Sequence, residues 1–391
     1  MRWEVRLRGP DGRERSKSFR TRRDAEAWER EQHVALSRGA WSDPALARQT
    51  FEHWVAVWRA GCVHLAPNTR RGYENVLEVH LSPRFAGWRI SAVDRAAVRM
   101  MVADMLASGS SPGTVRGARK VLRLVLATAV DAGALALNPC DGVRVPPSPR
   151  DEMVFLTHDQ VHDLAHEIAH PPRPHRHPQQ EWPAHDLLVR FAAYTGVRAG
   201  ELAALRVDRL DLLRRRVAVA ESLSEVAGYG IVIKAPKNGQ PRSVPLPASL
   251  CEDVAAMIAA DQLGPSDFIF RSPAGGPLRH QAFYNRHYRP AVLRAPDVPD
   301  RTRFHDLRHT CAAFLVAEGA HPLVVKERLG HSSITVTMDR YGHLFPELDA
   351  AVTDRLDVAI EHTRAGKTRA NHSDGPVVAL QRGAKSASEL A

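Results

Sequence analysis

The sequence predicts a mainly α-helical protein with small β-sheets, an α+β fold divided into several domains. At roughly 150 residues per domain, the 391 residues correspond to two or three domains. Apolar residues in the middle of the chain recur every three or four positions, as they do on one face of a helix. Short alternating segments beside Gly and Pro, at the N-terminus and again near residues 216–246, indicate strands.

Residues 1–48 are predicted to form a small N-terminal domain. Residues 3–7 alternate apolar with charged side chains, and residues 9–12 supply the Gly and Pro of a turn. Residues 16–19 are a candidate second strand, and Thr21 can cap a following helix.

Residues 50–146 are predicted to be helical throughout. Ser91 and Asp94 match a capping box at the start of one helix. The clearest helix follows Pro112, and its apolar stripe consists of Val115, Ala118, Leu122, Val125 and Ala129. The prolines after residue 138 then predict a stiff linker.

The helix after Pro112 also carries a basic face. Arg116, Arg119, Lys120 and Arg123 lie off the apolar stripe. Such a face is usually only solvated, but it is also how a helix contacts DNA phosphates. These four residues are therefore the candidate DNA-binding residues.

Residues 151–363 are predicted to form a third domain of helices around one small sheet. Residues 231–235 and 242–246 flank the turn sequence PKNG, which predicts a hairpin between them. Residues 364–391 lack an apolar period and are predicted to be a disordered tail.

Composition indicates a polyanionic partner. The net charge is +10 and only 7 of the 54 basic residues are Lys, so most are Arg, whose planar fork grips phosphate. The cysteines Cys62, Cys140, Cys251 and Cys311 form no CxxC pair, which argues against disulfides and Cys-ligated zinc. The absence of a signal peptide or long apolar run argues against secretion and membrane spanning, and we expect a cytoplasmic protein.

The third domain contains several groups suited to phosphate chemistry. Arg198 follows a helix-breaking Gly in TGVRAGE, and HDLRH places His305 and Arg308 on one helical face. His331 follows a candidate helix-ending Gly in LGHSS, ten residues before Tyr341 in DRYGHL. Each signal alone is modest.

Their order, with Lys237 in APKNGQPRSVPLP between the two arginines, resembles the tyrosine recombinases, the lambda-integrase-like family. The resemblance covers about residues 50–350. It implies an arm-type DNA-binding domain with a three-stranded sheet and a helix at residues 1–48. It further implies a helical SAM-like core-binding domain at 50–146 and a mixed α/β catalytic domain at 151–363 of this sequence.

The resemblance also implies a role for each matching residue. Arg198 and Arg308 would neutralise the phosphate, and Tyr341 would be the nucleophile that forms a 3′-phosphotyrosyl link without ATP, metal or cofactor. Lys237 would protonate the leaving group, with Lys234 as the competing candidate. His305 would assist proton transfer, and His331 would donate a hydrogen bond to the phosphate.

The implied function is integration or excision of a phage or mobile element by a homotetramer on DNA attachment sites. A directionality factor and a host DNA-bending protein are possible partners. The helix after Pro346, with Leu348, Val352, Leu356 and Ile360 at four-residue spacing, is expected to dock on a neighbouring protomer.

Three alternatives remain open. A type IB topoisomerase shares the chemistry, and a non-catalytic DNA-binding regulator would share the scaffold. The remote alternative is a zinc metallopeptidase, because residues 166–170 read HExxH, although Pro171 ends the helix directly afterwards.

Overall fold

A computed structural model describes residues 2–9, 12, 14–37, 41–148, 152–171, 185–236, 239–345 and 353–364. They form two compact units. The first comprises Met1–Glu152 with Ser224–Val232, and the second comprises Met153–Leu223 with Ile233–Ala391. The domain boundaries given above stay a prediction, and nearly all of the predicted tail lies outside the described residues.

The first unit begins with a hairpin and a helix. Strand β1 (Trp3–Arg8) pairs antiparallel with β2 (Glu14–Phe19). Helix α1 (Arg22–Ser37) follows Thr21, whose hydroxyl accepts a hydrogen bond from the N–H of Asp24 and so caps it as predicted.

The expected third strand of this sheet needs correction, because the described part of the N-terminal segment holds two strands. After α1, the Asp43 carboxylate accepts a hydrogen bond from the N–H of Ala45, 2.8 Å away. This turn leads into a short 3-10 helix, Leu46–Arg48, in place of an extended segment. The third strand was implied by the resemblance, and no alternating segment marks it.

Between residues 50 and 146 the first unit is mainly helical, as predicted. Its helices are α2 (Phe51–Gly61), α3 (Pro67–Val76), a π-helical turn (Leu77–Leu81), α4 (Ser82–Phe85), α5 (Arg95–Ala107) and α6 (Pro112–Asp131). The predicted capping box is wrong in detail. Asp94 is itself the N-cap of α5 and accepts from the Ala97 N–H, whereas Ser91 lies in a preceding 3-10 turn.

Helix α6 is the centre of this core. The five residues of its predicted apolar stripe are all fully buried, which confirms the helical period. Its basic residues bond to the chain that follows. Arg119 donates to the carbonyls of Cys140 and Val143, at 3.2 and 3.0 Å, and Arg116 donates to that of Pro146 at 2.7 Å.

The other two basic residues of α6 also have partners. Arg123 pairs with Asp141 at 2.9 Å, and the Lys120 ammonium lies 5.5 Å from the centre of the Tyr73 ring. The four side chains thus hold the segment after α6 and part of the helical core in place. Their contact with DNA stays a prediction.

The second unit contains nine α-helices among its labelled elements. They are α7 (His158–Ala169), α8 (His185–Thr195), α9 (Ala199–Ala203), α10 (Ala248–Ala260), α11 (His280–Phe283), α12 (Arg289–Val292), α13 (Asp306–Ala317), α14 (Pro322–Leu329) and α15 (Ile334–Tyr341), with a π-helical turn at Tyr284–Tyr288. Helix α8 is apolar nearly all round and packs against α7 and α13, which places it at the centre of the core. A further helix covers residues 353–364.

The strands of the second half of the chain pair differently from the prediction. Strand β7 (Arg242–Pro245) pairs antiparallel with β4 (Arg216–Val219), which also pairs with β3 (Leu210–Asp211). Strand β6 (Gly230–Lys234) pairs with β5 (Ser222–Val226).

The predicted hairpin between residues 231–235 and 242–246 is therefore wrong. Gly228 lies in the turn that precedes β6 and Gly230 is the first residue of the strand, with φ of +82° and +73°. These left-handed conformations suit glycine and reverse the chain between β5 and β6.

No helix in the described part of the chain is long and apolar enough to span a membrane.

Candidate active site

Arg198 is held at the turn between two helices of the second unit. Helix α8 ends at Thr195, and Gly196 follows with φ +67°, a left-handed conformation. Arg198 is then the N-cap of α9. Its guanidinium donates to the Glu201 carboxylate at 2.9 Å and to the Gly330 carbonyl at 3.1 Å.

Glu201 is a buried carboxylate shared by two arginines. Arg242, on β7, donates to both of its oxygens at 3.0 and 2.6 Å. Burial acts to raise the pKa of the Glu201 carboxyl, but hydrogen bonds and charge from Arg242 outweigh it, and the pKa lies below its ordinary value. Glu201 is therefore an anion that orients both guanidiniums.

Arg308 lies on the first turn of α13 and is buried. Its guanidinium donates to the Gly196 carbonyl at 2.6 Å and also to the carbonyl of Leu329. Burial and the positive charge of Arg198 lower the pKa of Arg308. The two arginines thus reach adjacent residues at the end of α14, Leu329 and Gly330.

Tyr341 ends α15 and is fully buried. Its hydroxyl lies 2.8 Å from Nδ1 of His309, also buried, on α13. Burial raises the pKa of Tyr341 to about 12, and burial together with the nearby His305 lowers that of His309 to about 4. The neutral phenol of Tyr341 is therefore hydrogen-bonded to the neutral imidazole of His309.

His331 follows the end of α14 at Gly330, whose φ is +62°. Its ring lies parallel to that of Tyr341, with centroids 6.2 Å apart, and its Nδ1 is 2.9 Å from the Thr337 hydroxyl oxygen. Burial and the charge of Arg308 lower its pKa to about 3.

His305 is the N-cap residue of α13 and is exposed at the edge of this cluster. Its ring is 5.0 Å from that of His309. Partial desolvation and the positive charge of Arg308 lower its pKa to about 4. The side chain that bonds the Tyr341 hydroxyl is that of His309. Assistance of proton transfer by His305 stays a prediction.

A cavity of about 600 Å³ opens on one side of this cluster. Its lining includes Arg198, Arg242, Gly330 and His331. Pro236 and Gln240 also line it, and they stand on either side of Lys237 in the sequence. Lys237 itself lies outside the described residues, and its competitor Lys234 is an exposed residue of β6.

Five of the six predicted catalytic residues are within the described chain. Arg198, Arg308, His331 and Tyr341 gather at the end of α14, with His305 beside them. Sequence reasoning assigned no role to three contributors, Glu201, Arg242 and His309. Glu201 lies three residues after Arg198 and His309 four after His305, spacings that place them on the same helical face.

The HExxH segment makes no comparable cluster. Glu167 pairs with Arg294 at 3.0 Å, and Nδ1 of His170 is bonded to the backbone oxygen of His166. The described residues contain no group of three or more His, Cys, Asp or Glu side chains that could hold a metal ion. Nothing in this segment favours the metallopeptidase alternative.

Comparison with known proteins finds similar integrases. Residues 154–347 match the phage integrase family. The ICEBs1 integrase of Bacillus subtilis is 25% identical over 79% of this chain and 83% of its own length. The putative prophage phiRv2 integrase of Mycobacterium tuberculosis is 26% identical over 92% of this chain and 94% of its own.

Solved structures show the same fold. The Tn1549 transposon integrase in complex with transposon right end DNA has a TM-score of 0.66 at 22% identity, over 79% of this chain and all of that one. A lambda integrase tetramer bound to a Holliday junction has a TM-score of 0.54 at 17% identity, over 86% of this chain and 91% of that one.

Fold and sequence together define an enzyme of the DNA strand-transferring class. The chain belongs to the phage integrase family, the tyrosine recombinases.

Proposed function

We propose that this recombinase cuts and rejoins DNA at specific sites through Tyr341, and so integrates or excises a phage or mobile element. The observation that carries the proposal is the convergence of Arg198, Arg308, His331 and Tyr341 at the end of α14. These residues are separated by up to 143 positions in the sequence, and the fold brings them around one buried tyrosine.

The chemistry follows from the charges. A phosphodiester repels nucleophiles because its oxygens are negative. The guanidiniums of Arg198, which lines the cavity, and of Arg308 would stabilise the additional charge of the transition state. The Tyr341 oxygen would bond to phosphorus while the bond to the 5′-oxygen breaks. The 3′-phosphotyrosyl link stores the energy of the broken bond, so ATP is not required.

Proton transfer needs an acceptor for the phenol proton and a donor for the leaving oxygen. His309 is the acceptor supported by geometry, because its Nδ1 is 2.8 Å from the Tyr341 hydroxyl. Its pKa, lowered to about 4, leaves the ring unprotonated at neutral pH and so able to accept a proton. His305 stands beside His309 and would assist it. Lys237 is proposed as the acid that protonates the 5′-oxygen.

The partners are inferred from the relatives. The ICEBs1 integrase, a putative prophage integrase and a transposon integrase match this chain, and the solved structures named above contain integrase bound to DNA. We infer that this chain binds double-stranded attachment sites in the bacterial cytoplasm, at the nucleoid, and assembles as a tetramer. A directionality factor and a host DNA-bending protein would act with it.

The test is recombination between two attachment sites on separate DNA molecules, with excess EDTA and without ATP. Attachment DNA here means the duplex at the boundary of the element that carries the gene. We expect recombinant products under these conditions. Loss of activity on chelation, restored by one divalent ion, would contradict the mechanism. Relaxation of supercoiled plasmid without any exchange between sites would instead favour the topoisomerase alternative.

A further inference from the structure

Glu201 creates an electrostatic difficulty for the proposed phosphate clamp. Its side chain is 1% exposed and bonds directly to the guanidinium of Arg198 at 2.9 Å. A guanidinium paired with one buried carboxylate carries no net charge as a pair. Arg198 would then donate hydrogen bonds to a phosphate but attract it only weakly, since charge stabilisation depends on net positive charge beside the oxygens.

Arg242 removes this difficulty. It bonds to both oxygens of Glu201, at 3.0 and 2.6 Å, so the three residues together carry one net positive charge. The shortest of the three contacts is the one from Arg242, which also heads the charge interactions that lower the pKa of Glu201. Glu201 is thus neutralised chiefly by Arg242, and the charge of Arg198 remains available.

The position of Arg242 is fixed by contacts on the other side. Its Nε donates to the carbonyl of Arg328 at 3.1 Å, and its side chain packs on Gly330, where an added Cβ would lie 3.0 Å from Cδ. The same guanidinium therefore connects β7 to the end of α14, where Arg198 and Arg308 also bond. A planar fork can serve Glu201 and this carbonyl together, whereas a Lys ammonium is a single point donor.

We propose that Arg242 is a positioning residue that neutralises buried Glu201 and thereby leaves the positive charge of Arg198 uncompensated at the scissile phosphate. This inference rests on the proposed function and deepens it. Arg242 acts through Arg198, and its effect is on the rate of phosphoryl transfer more than on the binding of DNA, most of which comes from other phosphate contacts.

The experiment compares Arg242→Gln with the double variant Glu201→Gln/Arg242→Gln. The single change leaves Glu201 and Arg198 as a neutral pair, while the double change restores one net positive charge on Arg198. The assay is single-turnover cleavage of nicked attachment DNA, read as covalent protein–DNA adduct. Mobility shift on one site and thermal melting are measured in parallel.

We expect Arg242→Gln to slow cleavage by at least about tenfold, with single-site binding within about threefold of wild type. The double variant should recover most of the lost rate. A purely structural role predicts the reverse, because the double variant also replaces the carboxylate that holds Arg198. A double variant no faster than Arg242→Gln would overturn the proposal, and so would a single variant that cleaves like wild type.

Two further variants keep the test decisive. If Arg242→Gln does not fold, Glu201→Gln is compared with the double variant, and we expect equal cleavage rates because no buried anion remains to be neutralised. A tenfold lower rate in the double variant would overturn the proposal.

Arg214→Gln is the matched control, since Arg214 is 83% exposed and pairs with Asp211; it should cleave normally. Absence of any adduct in wild type would count against the proposed function itself.

Discussion

At the scale of single residues, the contact between Tyr341 and His309 determines the protonation and the accessibility of the Tyr341 hydroxyl. The hydroxyl is buried and bonded to Nδ1 of His309, and the pKa of Tyr341 is raised to about 12. The proposed nucleophile is therefore neutral and buried in this structure. In the proposed reaction, DNA binding would have to bring this hydroxyl to the phosphate.

The lowered pKa of His309 predicts a pH-dependent stability. The unfolded chain takes up a proton on this residue as the pH falls below 6.5, whereas the folded chain does so near pH 4. Stability is therefore lost between those values, by about 1 kcal/mol at pH 5.5 for one such histidine. Glu201 has a lowered pKa too, but its contribution is lost only below its ordinary value of 4.5.

The measurement is the free energy of unfolding at pH 7.5 and pH 5.5 for wild type and His309→Gln. Gln retains an acceptor for the Tyr341 hydroxyl but does not titrate. We expect wild type to lose about 1 kcal/mol more than the variant on acidification. Equal losses would contradict the assignment of a neutral, buried His309.

At the scale of elements, the turn between α8 and α9 connects the fold to the site. The Gly196 carbonyl accepts a hydrogen bond from Arg308. A Cβ at this position would lie 2.5 Å from Cδ2 of Leu329 and 3.2 Å from Sγ of Cys311. The turn therefore requires glycine both for its left-handed backbone and for the close approach of α13 and α14.

Gly196→Ala is predicted to destabilise the protein by about 2–4 kcal/mol, combining backbone strain with overpacking. Gly275→Ala is the matched control, because Gly275 has φ +77° with no atom within 4 Å of an added Cβ. It should cost only about 1–2 kcal/mol. Chemical denaturation of both variants measures the difference, and equal destabilisation would show that the close packing is unimportant.

The sequence predicts the periodicity of single helices correctly but not the contacts between distant segments. The stripe of α6 is a property of one helix, and the sequence predicted its burial residue by residue. Strand β6 was assigned the wrong partner because strand pairing depends on turns on both sides, and the glycines at 228 and 230 were not weighed. His309 was missed because its partner Tyr341 lies 32 residues away.

At the scale of the whole molecule, the helix over residues 353–364 leaves apolar side chains uncovered. Leu356 and Ile360, two of the predicted stripe residues, are 57% and 46% exposed, and Val358 is 54% exposed. Leu348 and Val352 lie outside the described residues. Exposed apolar residues also occur on α14 and α15, among them Leu323 and Met338. Such surfaces commonly mark sites of protein association.

We predict that Leu356→Ser/Ile360→Ser reduces recombination at least about tenfold, because each side chain buried at an interface contributes about 1.5–3 kcal/mol. Binding to a single site and thermal stability should remain near wild type, since both residues are exposed in the isolated chain. Asp354→Ser/Glu361→Ser on the same helix is the control. A double Ser variant that recombines paired sites at the wild-type rate would exclude docking of this helix on a second copy.

The proposed function depends on covalent attachment of Tyr341 to DNA. The most direct measurement is mass spectrometry of the peptide–DNA adduct from nicked attachment DNA, with Tyr341→Phe in parallel. We predict a 3′-phosphotyrosyl link on Tyr341 in wild type. Tyr341→Phe should bind DNA within about threefold of wild type, since phosphate contacts supply most of the affinity, and should form no adduct. An adduct that persists in Tyr341→Phe, or that maps to Tyr229, Tyr284 or Tyr288, would contradict the account.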